Sequence, residues 1–463
     1  MSDSSKAHRV AVVGLSIEGI DTVRYFLKQG KKVIGCDRRD IQELGSSVSE
    51  LGRMGAVLSC GETYGDVLPD VDLIVRSPGI HPDSDVFRIA KEKGISFTTQ
   101  TNLFFDACKA PIIGVTGTKG KGTTSTLIYE IIKAAGKKCY LGGNVGTPLL
   151  SQVDDITHSD VVVLELSSFQ LEDCRSSPHI AVVLKITEDH LENNDANATN
   201  FHVTRETYIE AKKSIVKYQT EKDYVIVNVD DPISSSFAKL TPATVKTFSR
   251  FTNNTESNAF VRDHSVFVMK NSAPELFLHA NDIKVRGDHN LENICAAILA
   301  ASCIGIPPKE TKPTIQTFEG LPYRLEFIRS VDGVSYYNDS FSTVPETAIA
   351  ALSSFTEPVI LILGGSEKKS HYEELAKQIA LGNVKACIVI GQTADRIIEA
   401  LTEAGYEGVI ERGLTTMHDV VVKGKTLAKT GDVVLLSPAC ASFGMFKNYK
   451  DRGNQFNYEV SSL

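Results

Sequence analysis

The stretch Ala110–Thr126, APIIGVTGTKGKGTTST, decides the fold of the region around it. Its first part, from Ile112 to Val115, is apolar and rich in β-branched residues, which is typical of a buried strand. Gly117 and Gly120 let the backbone wrap closely around an anion, and a helix after them offers unpaired N–H groups at its positive end. The stretch therefore predicts a strand, a phosphate-binding loop and a helix, with a nucleoside triphosphate as the ligand.

The residues that follow the loop predict how the phosphates are held. Lys121 is expected to reach the terminal phosphates, and a hydroxyl just after it to bind the Mg2+ ion that bridges them. Val115 occupies the first glycine position of the strict GxxxxGK[ST] pattern, and Gly122 follows the lysine. We therefore predict Thr123 as the metal-binding hydroxyl, with Thr124 as its alternative. The predicted ATP-binding loop comprises Gly117, Thr118, Lys119, Gly120, Lys121, Gly122, Thr123 and Thr124.

Length and composition indicate an ordinary multidomain globular protein. The 463 residues suggest about three domains, and the 42% apolar content is enough for ordinary cores. A net charge of -8 without a long basic run argues against nucleic acid as a partner, and no apolar stretch is long enough to span a bilayer. The polar N-terminus differs from a secretory signal, and the cysteines lack metal-ligand spacing. We therefore expect a cytoplasmic protein with reduced thiols.

Strand-like runs alternate with amphipathic helical segments in three successive units, which is the pattern of parallel α/β domains. In the first unit, a strand at Arg9–Val13 turns at Gly14 into a helix, and a second strand ends at Asp37, as in nucleotide-binding βαβ units. The full GxGxxG pattern is absent, so these residues favour no particular nucleotide. A third strand ends before Ser77, whose hydroxyl would line a cleft; alternatively, the loops of this sheet merely connect its strands.

The second unit presents polar side chains at strand ends beside the phosphate loop. Glu165 follows the apolar strand Val161–Leu164 and is well placed to hold Mg2+ directly or through water. His190 follows another apolar strand, and its position supports a structural and a functional role equally. Lys212, in YIEAKKSI, is predicted from spacing alone to be a solvated helix lysine.

The third unit begins near Gly320 and contains strands that end in small or hydroxyl residues, the form that a ligand-binding rim takes. Arg324, in LPYRLE, is a candidate for binding phosphate. Lys368, in GGSEKKS, is a candidate for binding a carboxylate, although exposed lysines usually only interact with solvent. The sequence therefore predicts a ligand site at this rim.

Motifs from all three units occur in one order over nearly the whole chain. They are GTKGK, LELSSFQLE, TEDHLE, YIEAKKSI, VNVDDP, DHNLEN, LPYRLE, NDS, LILGG and LLSPACASFGMFKNYKDRGNQF. This combination resembles the Mur ligases, and the block with SPACAS and FKN is especially specific. The resemblance implies an α/β fold of three domains: a Rossmann-like UDP-binding domain in residues 1–109, a central P-loop ATPase domain with a parallel sheet in residues 110–319, and a Rossmann-like amino-acid-binding domain in residues 320–463.

The resemblance also implies an activity. Mur ligases are ATP-dependent acid–amino-acid ligases of peptidoglycan precursor synthesis, and these motifs are most similar to those of members that add D-glutamate to UDP-N-acetylmuramoyl-L-alanine through an acyl phosphate. The implied partners are ATP, glutamate and the UDP-linked precursor, with two Mg2+ ions as cofactors and no nucleic acid or membrane. A monomer is expected.

Family roles fall on matching positions of this chain. The implied catalytic residues are Lys121, His190 and Lys212, with His190 ordering the metal site and Lys212 carbamylated into an acid group that binds a second Mg2+. The implied magnesium ligands are Thr123, Glu165, His190 and carbamylated Lys212. Besides the loop, the implied ATP contacts are Asn293, Arg324 and Asp339. The implied UDP-substrate contacts are Ser16, Asp37, Arg38, Ser77 and Asn144, and the implied glutamate contacts are Thr343, Lys368, Ser442, Phe443 and Tyr449.

Two positions depart from the family pattern. Tyr323 stands where the pattern has histidine, and Phe341 replaces the lysine of NDSKATN, which removes a positive charge near the nucleotide and the amino acid. A ligase that adds L-glutamate to the same precursor is therefore an alternative, and a non-catalytic ATP-binding homologue is another. The GKG loop also resembles that of folylpolyglutamate synthases, although the extra N-terminal unit and SPACAS disfavour that function.

Overall fold

The computed structural model describes residues 6–187, 200–251, 257–366 and 370–463. These residues form two compact units. The first comprises the chain up to Leu278 together with Glu292–Ile315, and the second comprises His279–Leu291 together with Gln316–Leu463. The predicted site residues His190 and Lys368 lie outside the described residues.

The first sheet belongs to the first unit and has five parallel strands in the order β3-β2-β1-β4-β5. Its strands are β1 (Arg9–Val13), β2 (Lys32–Asp37), β3 (Val57–Cys60), β4 (Leu73–Arg76) and β5 (Ser96–Thr99). The helices of this region are α1 (Ile17–Lys28), α2 (Ile41–Leu44), α3 (Ser46–Arg53), α4 (Arg88–Glu92) and α5 (Gln100–Ala107). The strand order reverses between β1 and β4, which places a crevice at the carboxyl ends of these two strands.

The central sheet also belongs to the first unit and has nine strands in the order β14-β13-β12-β11-β10-β9-β6-β8-β7. Its strands are β6 (Ile112–Thr116), β7 (Cys139–Gly143), β8 (Val161–Glu165), β9 (Ile180–Val183), β10 (Tyr224–Asn228), β11 (Thr244–Ser249), β12 (Ala259–Arg262), β13 (Ser265–Lys270) and β14 (Ala273–His279). The accompanying helices are α6 (Lys121–Ala134), α7 (Ser168–Leu171), α8 (Arg205–Lys217), α9 (Pro232–Ser236), α10 (Asp288–Cys303) and α11 (Pro308–Thr317). Because β6 to β9 run in parallel, their carboxyl ends share one edge.

Apolar packing joins the first sheet to the central sheet. Val10 and Val12 of β1 belong to the same cluster of buried side chains as Val162 and Leu164 of β8. The alternate residue Ala11 belongs to a separate cluster, so both faces of β1 are buried. This double burial explains why the strand is apolar along its length, as expected for a parallel sheet.

The third sheet lies in the second unit and has six strands in the order β15-β16-β20-β17-β18-β19. Its strands are β15 (Glu326–Val331), β16 (Val334–Asn338), β17 (Val359–Gly365), β18 (Val384–Gly391), β19 (Val409–Arg412) and β20 (Val433–Leu436). Its helices are α12 (Pro345–Leu352), α13 (Glu373–Leu381), α14 (Ala394–Glu403), α15 (Met417–Leu427) and α16 (Tyr449–Ser461). Among the described residues, β15 is the one strand that forms an antiparallel ladder in this sheet. Apolar clusters cover both faces of the sheet.

The predicted fold class, an α/β chain with mostly parallel sheets, is confirmed by these three sheets. All nine cysteines are free thiols, in agreement with their spacing. In the part of the chain that the structure describes, no helix combines the length and the apolar character needed to cross a bilayer.

Candidate active site

The phosphate-binding loop follows β6, which lies between β9 and β8. Gly117 has φ +149°, and a Cβ there would lie 2.7 Å from the Cβ of Leu184. Gly120 has φ +85°, and a Cβ there would lie 2.5 Å from Oδ1 of Asn293. Both positions therefore require glycine. The close approach also brings Asn293, a predicted ATP contact on α10, to the loop.

Thr118 fixes the loop to the end of the neighbouring strand. Its buried hydroxyl accepts the N–H of Thr187 at 2.8 Å and lies 3.0 Å from the hydroxyl of Tyr208. Its own N–H donates to the carbonyl of Lys185 at 2.9 Å. Lys119, between the loop glycines, is exposed. The loop backbone is therefore held in place before any anion binds.

Lys121 is the first residue of α6, and its side chain turns back over the loop. Its Nζ donates to the carbonyls of Gly117 at 3.2 Å and Thr118 at 3.0 Å. The two candidate metal hydroxyls follow it. Thr123 is half-buried, whereas Thr124 is buried and its hydroxyl has no hydrogen-bond partner among the described residues. The start of α6 thus places an ammonium group and two hydroxyls next to backbone N–H groups that favour an anion.

Glu165 ends β8 beside the loop, and Asn144 follows the neighbouring β7. The Nδ2 of Asn144 donates to Oε1 of Glu165 at 2.9 Å. Oε2 of Glu165 is buried and has no hydrogen-bond partner within the described ranges. An unsatisfied buried carboxylate oxygen is costly, and a hard divalent cation is one way to satisfy it. Glu165 and Asn144, predicted for different ligands, are thus brought together.

Lys212 lies against the same loop, so its predicted exposure to solvent was wrong. The side chain is 1% exposed, and its Nζ donates to the carbonyl of Gly117 at 3.1 Å. The Nζ also lies 4.6 Å from the ring centroid of Tyr208. The sequence held a signal for this burial, because Tyr208, Ala211 and Ile215 stand at helical spacing around it and are buried as well.

The predicted metal ligands lie partly outside the described residues. Across residues 6–187, 200–251, 257–366 and 370–463, no three His, Cys, Asp or Glu side chains cluster in the manner of a metal site. His190 lies outside those ranges. The fit to Mg2+ therefore rests on the unsatisfied oxygen of Glu165 and on the hydroxyls of Thr123 and Thr124, which are oxygen donors of the type that Mg2+ prefers.

The crevice of the first sheet contains the predicted UDP contacts. A Cβ on Gly14 would lie 2.6 Å from the Cβ of Ser77, so the ends of β1 and β4 meet closely. Ser16 is exposed and precedes α1, with its backbone extended. These two serines lie at the point where the strand order reverses, which is where such sheets bind ligands.

The carboxylate of Asp37 forms hydrogen bonds with neighbouring residues of the protein. Its carboxylate accepts the N–H of Leu15 at 2.8 Å and the side chain of Arg39 at 2.9 Å. Burial alone would raise the pKa of Asp37, but the hydrogen bonds from Arg39 and Leu15 hold it below its usual value. Arg38, a predicted UDP contact, is exposed, and so is Arg39, whose pairing with this carboxylate the sequence analysis did not predict.

Polar contacts join the first sheet to the segment after Glu165. The sequence analysis did not predict the residues that form them. Arg76, at the buried end of β4, forms ion pairs with Asp173 at 2.5 Å and Glu172 at 3.5 Å. On α1, Glu18 accepts a hydrogen bond from Gln170 at 2.6 Å, and burial raises the pKa of Glu18 to about 7. An arginine that ends an apolar strand is a detectable signal of such an ion pair.

The predicted nucleotide contacts of the second unit meet at the end of β16. Asp339 is buried, and its carboxylate accepts the N–H of Leu325 at 3.2 Å and the hydroxyl of Ser437 at 2.8 Å. Burial raises the pKa of Asp339 to about 7. The guanidinium carbon of Arg324 lies 3.9 Å from the ring centroid of Phe341. Arg324, Asp339 and Phe341 therefore form one local cluster.

Among the predicted glutamate contacts, Tyr449 packs against this cluster, and the others differ in exposure. Tyr449 begins α16, and its ring meets the ring of Phe341 edge-on, with the centroids 5.0 Å apart. Ser442 is buried, Thr343 is half-buried and Phe443 is 61% exposed. The structure therefore places Tyr449 against the cluster of Arg324, Asp339 and Phe341, whereas Phe443 is largely exposed to solvent.

Arg452 connects the two loops that carry these residues, and the sequence analysis missed it. The side chain is fully buried, and its guanidinium donates to the hydroxyl and carbonyl of Ser340 at 3.0 and 2.9 Å and to the carbonyl of Cys440 at 3.1 Å. Burial lowers the pKa of Arg452 to about 10. It lies inside a polar helical stretch, and nothing in that pattern distinguishes it from a surface arginine.

Comparison with known proteins covers all three sheets. Residues 8–99 match the MurD-like N-terminal domain of Mur ligases, residues 115–301 match the Mur ligase middle domain, and residues 323–440 match the Mur ligase glutamate ligase domain. Solved Mur ligases share the fold. UDP-N-acetylmuramate-alanine ligase MurC from Thermotoga maritima superposes with a TM-score of 0.61 at 18% identity, covering 98% of this chain and 99% of its own.

Similar sequences extend over the full length of the chain. The UDP-N-acetylmuramoylalanine--D-glutamate ligase of Symbiobacterium thermophilum is 40% identical over 456 residues, or 98% of each chain. The protein of the same name from Acetivibrio thermocellus is 38% identical and covers 99% of this chain and 97% of its own. With all three domains matched and relatives at these identities over nearly every residue, the chain belongs to the Mur ligase family.

Proposed function

We propose that this chain is an ATP-dependent ligase that joins D-glutamate to UDP-N-acetylmuramoyl-L-alanine in peptidoglycan precursor synthesis. The observation that carries the proposal is the meeting of the phosphate loop, Glu165 and Lys212 at one edge of the central sheet. The full-length relatives named for D-glutamate addition support the choice of substrates. We also propose that it acts in the cytoplasm as a monomer, with domain boundaries at 109/110 and 319/320.

The reaction proceeds in two steps. In the first, an oxygen of the substrate carboxylate attacks the γ-phosphorus of ATP, the bond to the bridging oxygen breaks, and ADP leaves. The product is an acyl phosphate, which is a far better electrophile than the carboxylate. In the second step, the neutral amine of glutamate attacks the acyl carbon, inorganic phosphate leaves, and the nitrogen loses a proton as the amide forms.

The residues of the loop supply positioning and charge for the first step. Phosphoryl transfer needs the γ-phosphate held in line and its negative charge neutralised. Lys121 and the N–H groups at the start of α6 provide that charge. Mg2+, when bound, would neutralise further phosphate charge, and Glu165 with Thr123 or Thr124 would hold it, with His190 as a further predicted ligand.

Lys212 is proposed to act as a carbamate. Its neutral amine would add carbon dioxide and lose a proton, which places an acid group beside Gly117. Burial disfavours a charged ammonium and so favours the neutral amine that this chemistry needs. Carbon-13 NMR of the full-length protein in labelled bicarbonate should show one carbamate signal. The signal should vanish in Lys212→Gln and persist in the matched variant Lys213→Gln; a signal that survives Lys212→Gln refutes the modification.

The two substrates are proposed to bind at the remaining strand ends. Ser16, Ser77, Arg38 and Asn144 would contact the UDP-linked precursor, while Asp37 holds the loop before α1 through Leu15. In the second unit, Lys368 would bind the side-chain carboxylate of glutamate. The other proposed glutamate contacts are Thr343, Ser442, Phe443 and Tyr449.

A single assay tests the proposed function and its alternatives. Purified full-length protein receives ATP, Mg2+ and UDP-N-acetylmuramoyl-L-alanine with D-glutamate or L-glutamate in separate reactions, and phosphate release and product mass are measured. We expect product with D-glutamate only. Product with L-glutamate only would overturn the choice of isomer, and product from folate and glutamate would favour the folylpolyglutamate alternative. ATP binding without phosphate release would identify a non-catalytic homologue.

A further inference from the structure

Phe341 and Arg324 form a cation–π pair at the surface of the second unit. The guanidinium carbon lies 3.9 Å from the ring centroid, which places the cation in van der Waals contact with the ring face. Phe341 is 38% exposed and Arg324 is also exposed. Both side chains therefore keep part of their surface in contact with solvent.

The backbone around Arg324 is strained and held in place. Tyr323 has φ +63° and Leu325 has φ +47°, so a left-handed residue stands on each side of the arginine. The N–H of Phe341 donates to the carbonyl of Tyr323 at 3.0 Å, and the N–H of Leu325 donates to Asp339 at 3.2 Å. Such strain persists only where surrounding contacts enforce it, and it is concentrated at functional sites.

The ring of Phe341 is itself fixed. Tyr449 packs edge-on against it with an interplanar angle of 86°. Tyr323 packs edge-on against Tyr449, and its hydroxyl donates to Asn454 at 2.6 Å. Two successive edge-on contacts thus fix the orientation of the Phe341 ring, on whose face the Arg324 guanidinium lies.

We propose that Phe341 is a positioning residue for the nucleotide: its ring holds the guanidinium of Arg324 beside Asp339, so that Arg324 supplies the positive charge that a lysine of NDSKATN would bring. This inference rests on the proposed function, because it takes Arg324 as an ATP contact. An ammonium at position 341 would repel the guanidinium that stacks on the ring.

The test is the affinity of the full-length protein for an ATP analogue with a non-hydrolysable β–γ bridge, measured by calorimetry with Mg2+. Phe341→Leu removes the aromatic face and should raise the Kd by roughly 3- to 10-fold. Phe341→Trp keeps an aromatic face and should stay within about 2-fold of the parent. Phe341→Lys should weaken binding at least as much as Phe341→Leu.

The control is Phe267→Leu, which removes a similar contact with Arg262 at 4.5 Å in the first unit and should leave the Kd unchanged. Equal affinities for parent, Phe341→Leu and Phe341→Trp would overturn the proposal, as would tighter binding by Phe341→Lys. Because the experiment measures binding, the role of Phe341 can be confirmed even in a protein that releases no phosphate. In that case only the proposed ligase function is refuted. If the parent protein does not bind the analogue, both the role of Phe341 and the ligase function are refuted.

Discussion

Three ionisable side chains are buried at or beside the carboxyl ends of strands. Glu165, Lys212 and Asp339 are each less than 10% exposed, and each follows or contacts the carboxyl end of a strand. Burial penalises the charged form of such groups, so each needs a hydrogen bond, a cation or a shifted pKa. Glu165, Lys212 and Asp339 have different hydrogen-bond partners, so substitutions at these positions should have different effects.

Asp339 should make stability depend on pH. Its folded pKa of about 7 exceeds the usual value of 3.8, so the folded protein keeps a proton that the unfolded chain has already lost between these values. Stability from this group is therefore full at low pH and falls as pH rises from about 4 to about 7, by on the order of a few kcal/mol. Thermal melting across this range should show a shallower decline in Asp339→Asn, whereas exposed Asp395→Asn should follow the parent. Identical slopes for all three would contradict the prediction.

Glu165 should control the response to magnesium. Glu165→Gln keeps the volume and an amide oxygen for Asn144 but removes the negative charge. We expect kcat to fall by about 10- to 100-fold or more and the Mg2+ concentration for half-maximal rate to rise, while the melting temperature holds. Exposed Glu210→Gln on α8 serves as the matched control. An unchanged magnesium dependence would remove Glu165 from the metal site.

At the scale of the element, the phosphate loop depends on neighbours that are distant in sequence. Its glycines meet Leu184, which follows β9, and Asn293 on α10. Thr118 of the loop forms hydrogen bonds with the segment after β9 and with Tyr208 on α8. The loop is thus shaped by three other elements, although its strand and helix follow from local sequence.

Comparing Gly120→Ala with Gly136→Ala should distinguish the effect of backbone strain on stability from the effect of loop geometry on ATP binding. At φ +85° the added Cβ would strain the backbone by roughly 1–2 kcal/mol and also meet Asn293 at 2.5 Å. Gly136, at the other end of α6, has φ +78° and nothing within 4 Å of such a Cβ. Both alanine variants should melt slightly earlier, but only Gly120→Ala should weaken ATP binding, by about 10-fold or more. Equal effects on ATP binding would mean that the loop geometry is not required.

At the scale of the whole molecule, each compact unit has one deeply buried arginine. Arg76 in the first unit pairs with carboxylates, whereas Arg452 in the second unit donates to the neutral oxygens of Ser340 and Cys440. Removing the first arginine leaves the partly exposed carboxylates of Asp173 and Glu172 without their partner. Removing the second leaves unsatisfied oxygens but also removes a buried charge.

These arginines should affect separate thermal transitions. Calorimetry of the full-length protein should resolve the two units. Arg76→Met should lower the stability of the first and Arg452→Met that of the second, each by about 1–3 kcal/mol. The double variant should combine both shifts additively, because the two residues lie in different units. Exposed Arg412→Met is the control. A single transition that moves with either variant would show that the units unfold together.

The sequence by itself determined the chemistry of the phosphate loop, the three α/β units and the family resemblance. These features depend on residues that are close in the chain, such as the strand, glycines and lysine within Ala110–Thr126. Tertiary structure alone decided the partners of buried charges. Lys212 and Gly117 lie 95 positions apart, Arg452 and Ser340 lie 112 apart, and the guanidinium of Arg324 stacks on a ring from another loop. Spacing cannot predict such contacts, because they depend on which helix face is buried and on where loops from different strands meet.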